Sequence, residues 1–76
     1  METFKHLGIE FERLNYSETQ LQKIGEKLPA IGYFKSNITG IAKATSADVV
    51  MICRSDYGTM PIFISESVFS KIKLNQ

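Results

Sequence analysis

The densest run of strand-forming residues lies between Ala47 and Ser65, where Val49-Val50-Met51-Ile52-Cys53 and Pro61-Ile62-Phe63-Ile64 flank the tetrad Ser55-Asp56-Tyr57-Gly58. Two β-branched and aromatic runs about a turn-forming tetrad predict a hairpin with strands 48–54 and 59–64. The expected connection is a type I turn, with Gly58 taking the positive φ of a G1 bulge. That turn pairs Val50 with Ile64, Met51 with Phe63, Ile52 with Ile62, Cys53 with Pro61 and Arg54 with Met60. Side chains alternate between faces, so one face carries Val50, Ile52, Ile62 and Ile64, and the other Val49, Met51, Cys53, Pro61 and Phe63. Both faces are apolar, so both need cover. Pro61 has no N–H to give a ladder, which places 59–64 at a sheet edge and 48–54 inside.

Ser17 to Leu28 carries the clearest helical signal. Ser17 can cap, Gln20 completes a capping box, and Tyr16 can staple onto Leu21. Leu21, Ile24 and Leu28 form one stripe and Pro29 is the expected stop. Gly25, within this helix, predicts close approach to another backbone, since glycine there costs about 1 kcal/mol relative to alanine. A second, short helix is expected over 66–73, capped by Ser65 or Ser67, with Val68, Phe69 and Ile72 facing inward.

Two segments are ambiguous. Phe4, Leu7, Phe11 and Leu14 fall at helical spacing, while Leu7, Ile9 and Phe11 alternate with Gly8, Glu10 and Glu12 as in a strand; Gly8 tips 7–14 toward the strand. Ile31–Lys35 and Ile38–Lys43 read as two strands joined over Ser36-Asn37, against a rival helix from Ser36 or Asn37 to Ala44 that Gly40 and three β-branched residues disfavour. The fold class is therefore α+β. One domain, 1–76, is expected to hold an antiparallel sheet of three to five strands packed with helix 17–28 and the closing helix.

Composition changes the picture chiefly by exclusion. At 76 residues with 43% hydrophobic and 22% charged residues, the chain is an ordinary folded globule with a thin core. A net charge of +1 gives no global pull toward nucleic acid or acidic membranes. Residues 1–26 hold five acids and three bases, and residues 27–76 six bases and three acids. An asymmetry so small reads first as solvated surface. A single cysteine rules out an intramolecular disulfide, and the first residues lack the apolar stretch of a secretory signal, so the expected location is the cytoplasm.

Catalytic chemistry is poorly supplied. His6 and Cys53 are the only residues of their types, too few for a metal site, and Cys53 in a strand reads as an inert core thiol. Glu10 and Glu12 share one side of the expected strand as solvent-facing acids. No phosphate-cradling glycine motif occurs, so no cofactor, metal or enzymatic activity is expected. The leading expectation is a small protein-binding module, a regulator, inhibitor or adaptor. It would use Val49, Met51, Pro61 and Phe63 to contact another protein or a second copy of itself. The alternative is a nucleic-acid-binding domain, winged-helix-like or single-strand-binding, using Tyr33, Phe34, Lys35, Lys43 and Arg54. Against the winged helix stand the long 29–36 connection and Gly40 in the would-be recognition helix.

Overall fold

The computed structural model describes residues 2–56 and 60–72. Five strands form one antiparallel sheet in sequence order: β1 (Thr3–His6), β2 (Ile9–Leu14), β3 (Ile38–Ala44), β4 (Val50–Arg54) and β5 (Ile62–Ile64). Helix α1 (Glu18–Lys27) connects β2 to β3, and a short helix α2 (Glu66–Phe69) follows β5. The fold is a small α+β fold, as the sequence predicts. The core hairpin holds its expected register over three pairs, Val50 opposite Ile64, Met51 opposite Phe63 and Ile52 opposite Ile62, but its strands are shorter than the expected 48–54 and 59–64, and the expected pairs of Cys53 with Pro61 and Arg54 with Met60 are not part of the ladder. β5 lies at the edge and β4 inside. The turn itself, with Gly58, falls outside the described residues.

Segment 7–14 is strand only from Ile9, two residues later than expected, and it forms half of a hairpin whose first strand, Thr3–His6, the sequence reading does not include. His6 pairs with Ile9, leaving Leu7 and Gly8 as a two-residue loop with φ of 53° and 80°. Two successive positive φ values are those of a type I′ turn, whose twist matches the flanking strands and whose favoured sequence is Asn-Gly. A leucine in the left-handed region costs roughly 1–2 kcal/mol. Leu7 nevertheless occupies it with 84% of its surface exposed.

Helix α1 starts as its sequence dictates. The Gln20 backbone N–H donates to Ser17 Oγ at 3.2 Å, and the Ser17 N–H donates to Gln20 Oε1 at 2.9 Å. The α-helix ends just before Pro29, as expected, but the chain keeps turning. Leu28–Ile31 continue as a 3₁₀ helix with Pro29 in its first turn, where a missing N–H leaves no bond unmade. Gly32, at φ 94°, ends it, and Tyr33 N–H donates back to Leu28 O at 3.2 Å. The strand expected over Ile31–Lys35 is therefore absent: Ile31 belongs to the 3₁₀ helix and residues 33–37 take no regular form. The strand expected from Ile38 is present and runs to Ala44, with a register shift between Ile38 and Gly40. Gly25 packs where a backbone approaches, since a Cβ there would meet the Ser36 carbonyl oxygen and Ile38 Cγ1.

Both helices cover the same face of the sheet. Ile24 from α1, Leu28 from the 3₁₀ helix, and Phe69 and Ile72 from the C-terminal segment pack with Ile41, Val50, Ile52, Ile62 and Ile64. The α1 stripe thus covers the aliphatic face. The C-terminal segment covers the same face and not Val49, Met51 and Phe63: Phe69 of α2 and Ile72 beyond it complete the aliphatic core.

The other face buries itself by curling. Phe11, Ala42, Ala44 and Met51 form a second core, with Phe4, Val49 and Cys53 against it. His6 on β1 and Phe63 on β5 lie at opposite ends of the strand order, about 19 Å apart in a flat sheet of ~4.8 Å spacing. Their ring centroids are 5.6 Å apart, and those of Phe11 and Phe63 are 6.4 Å apart. The two edges therefore approach each other on the helix-free side. Ala42 and Ala44 lie on the central strand there, packed with Phe11 and Met51, and a Cβ at Gly40 would crowd the Arg13 guanidinium.

Candidate functional site

Where the edges approach, His6, Leu7, Ile9, Phe11, Val49 and Phe63 line an open recess of about 250 Å³. Its floor is Phe11, buried in the second core, and its walls are the β1–β2 hairpin tip and the β5 edge. Phe63 remains 42% exposed and Leu7 is the most exposed large apolar residue of the described chain. His6 contributes the one ring with polar atoms, stacked at 5.6 Å on Phe63. Such a recess offers contact area and shape, with the His6 imidazole its one ionisable side chain.

Of the residues singled out as protein-binding, Val49 and Phe63 meet in this recess. Met51 lies beneath the same face, 3% exposed, where it packs and cannot be touched. Pro61 is half-buried ahead of β5 and does not line the recess. Sequence reasoning missed His6, Leu7 and Ile9, because the hairpin that carries them was hidden behind a leucine in a turn position usually filled by asparagine. The signal that could have found it is the Leu7-Gly8 pair between the runs Phe4–His6 and Ile9–Phe11.

The alternative residues separate into two places. Tyr33, Phe34 and Lys35 occupy the irregular segment before β3. Arg54 pairs with Ile38 at the start of β3, and the Ser55 N–H donates to Asn37 O at 3.0 Å, so Arg54 lies at the same end of the sheet. Phe34 is 76% exposed. Arg54 Nε donates to Met60 O at 2.8 Å. Lys43 sits away from that end, opposite Val50, with Nζ 2.7 Å from Glu66 Oε2. The hydrogen bond to Glu66, then its charge, raises the Lys43 pKa above its ordinary value. Burial likewise pushes the Tyr16 phenol up. Both groups line a second hollow of about 270 Å³ between the sheet and α2, with Leu14, Val50, Phe69 and Ser70.

Cys53 Sγ lies 3.7 Å from Met51 Sδ, and His6 stacks on Phe63. Glu10 Oε1 accepts from Thr45 Oγ at 3.1 Å, and Glu12 sits opposite Lys43. Among the described residues no three His, Cys, Asp or Glu side chains gather as metal ligands, and no helix is long and apolar enough to cross a membrane. No known protein family, curated protein or solved structure matches the chain.

Proposed function

We propose that the chain is a small non-enzymatic protein-binding module, a regulator, inhibitor or adaptor of the cytoplasm, acting through the recess between the β1–β2 tip and β5. The observation that carries this reading is the joint exposure of Leu7, Ile9 and Phe63 around one apolar hollow. An apolar patch left open in so small a chain commonly marks a contact with another protein. The partner it suits is a protein offering an apolar side chain to the hollow.

Phe63 and Met51 separate binding from packing. Phe63→Ser, at a partly exposed edge position, is expected to lower stability by about 1 kcal/mol and weaken partner binding at least tenfold. Met51→Ala should lower stability by about 2–5 kcal/mol. The measurement is urea unfolding of both variants, with calorimetric titration of the protein that co-purifies with the wild type. A Phe63→Ser variant that binds that protein undiminished ends this reading.

One observation favours the nucleic-acid alternative: exposed Phe34 and Lys35 lie at the same end of the sheet as Arg54. Binding there would weaken steeply with salt, by a slope of about −0.7 per phosphate contact on a single strand. Lys43, tied to Glu66 elsewhere, would not contribute.

A further inference from the structure

We propose that residues 65–72 form a strap over the aliphatic core, buckled at Glu66, which lifts as one unit while the sheet and α1 stay folded. A helix of four residues is too short to hold itself in water, so α2 exists only as long as it is docked. Its own hydrogen bonds do not dock it. The Phe69 and Ser70 N–H groups donate to Ser65 O and Glu66 O, and those of Lys71 and Ile72 to Val68 O and Phe69 O, all inside the segment. Ser65 Oγ accepts from the Val68 N–H and Ser70 Oγ donates to Glu66 O, again inside it.

Among the described residues, two polar contacts tie the strap to the rest of the chain, and both start from Glu66. Its backbone N–H donates to Asp48 Oδ1 at 2.9 Å, in the loop between β3 and β4, and its carboxylate holds Lys43 Nζ on β3 at 2.7 Å. Asp48 thus gives the first helical N–H a partner that no helix supplies for itself. Beyond the buckle the strap passes over the hollow of about 270 Å³ between Tyr16, Val50 and Phe69. Its apolar hold is therefore concentrated in buried Phe69 and Ile72, with Val68 partly buried beside them. A segment fastened through one residue's polar contacts and so few side chains opens more readily than the five-stranded ladder behind it.

Native-state hydrogen exchange of the whole chain, followed by NMR in urea below the unfolding transition, reads the lift. The amides of Phe69, Ser70, Lys71 and Ile72 should share one opening constant, at least about tenfold larger than that of the β4 amides, with a urea dependence of its own. Two variants locate the event. Asp48→Ala removes the buckle's acceptor and should speed exchange of the four strap amides by roughly 3- to 30-fold, the range for losing a helix cap. Gly25→Ala, which crowds Ser36 O where α1 meets the 33–37 segment, should speed β4 exchange and leave the strap amides unchanged, because α1 stays packed while the strap is open. Strap amides that exchange at the β4 rate, or that Gly25→Ala quickens as much as β4, open only with the whole chain and overturn the proposal. Rates graded from Ile72 inward without urea dependence are fraying, and they overturn it too. So does an Asp48→Ala variant whose strap exchange is unchanged.

Discussion

At Gly25 two effects of a single methyl oppose each other. Alanine gains about 1 kcal/mol of helix propensity over glycine, yet here its Cβ would land on the carbonyl oxygen of buried Ser36. A backbone atom cannot step aside as a flexible side chain does, and overpacking typically costs 1–3 kcal/mol beyond what is gained. Gly25→Ala is expected to destabilise by about 1–2 kcal/mol in urea unfolding; a stabilised variant would mean that the 33–37 segment yields easily. This close approach was legible in the sequence, since a glycine in the middle of an apolar stripe has few other reasons to be there. Leu7 was not legible, because its conformation contradicts its preference and only the paired strands on either side impose it.

Between elements, the sequence spoke clearly wherever one periodicity dominated. The capping box fixes the start of α1, the turn signal at Ser55–Gly58 fixes the register of 50–54 against 62–64, and Pro61 marks the edge. It was silent where neighbours decide: Pro29 is compatible with a stop or a 3₁₀ continuation, and the pull of Phe69 and Ile72 toward the aliphatic core depends on where α1 already lies. The contact between β3 and α2 has a measurable consequence. Lys43 is held by Glu66, while Tyr16, half-buried before α1, borders the same hollow. Both bind their protons more tightly folded than unfolded, from ordinary values of 10.5 and 10.0. Their contribution is complete below about pH 10 and is lost as pH rises through the higher folded values. Urea midpoints should therefore fall between pH 9 and pH 11, and the fall should be shallower in Tyr16→Phe/Glu66→Gln. An equal fall in that variant would assign alkaline sensitivity to other groups.

For the whole molecule, the decisive event is the curl that lets a sheet with helices on only one side bury most of the other. Without it, Phe4, Phe11, Met51 and Phe63 would form a broad wet apolar face; with it, Phe11 and Met51 are sealed and the opening shrinks to the recess. Sequence reading recognised that the hairpin needs cover twice but looked for a second helix, because a strand pattern does not announce the bend of its sheet. The chain pairs this economy with a hazard during synthesis and unfolding, when Val49–Cys53 and Ile62–Ile64 are bare, uncharged and rich in β-branched residues. Segments of that kind stack into amyloid unless something interrupts them. Pro61 stands immediately ahead of the second one and cannot donate a hydrogen bond to an arriving strand. Pro61→Val is accordingly expected to leave the folded state near its present stability while shortening the lag of fibril growth in mild denaturant, as read by thioflavin fluorescence. On this account one ring of five atoms at the rim guards the unfolded chain against its own copies.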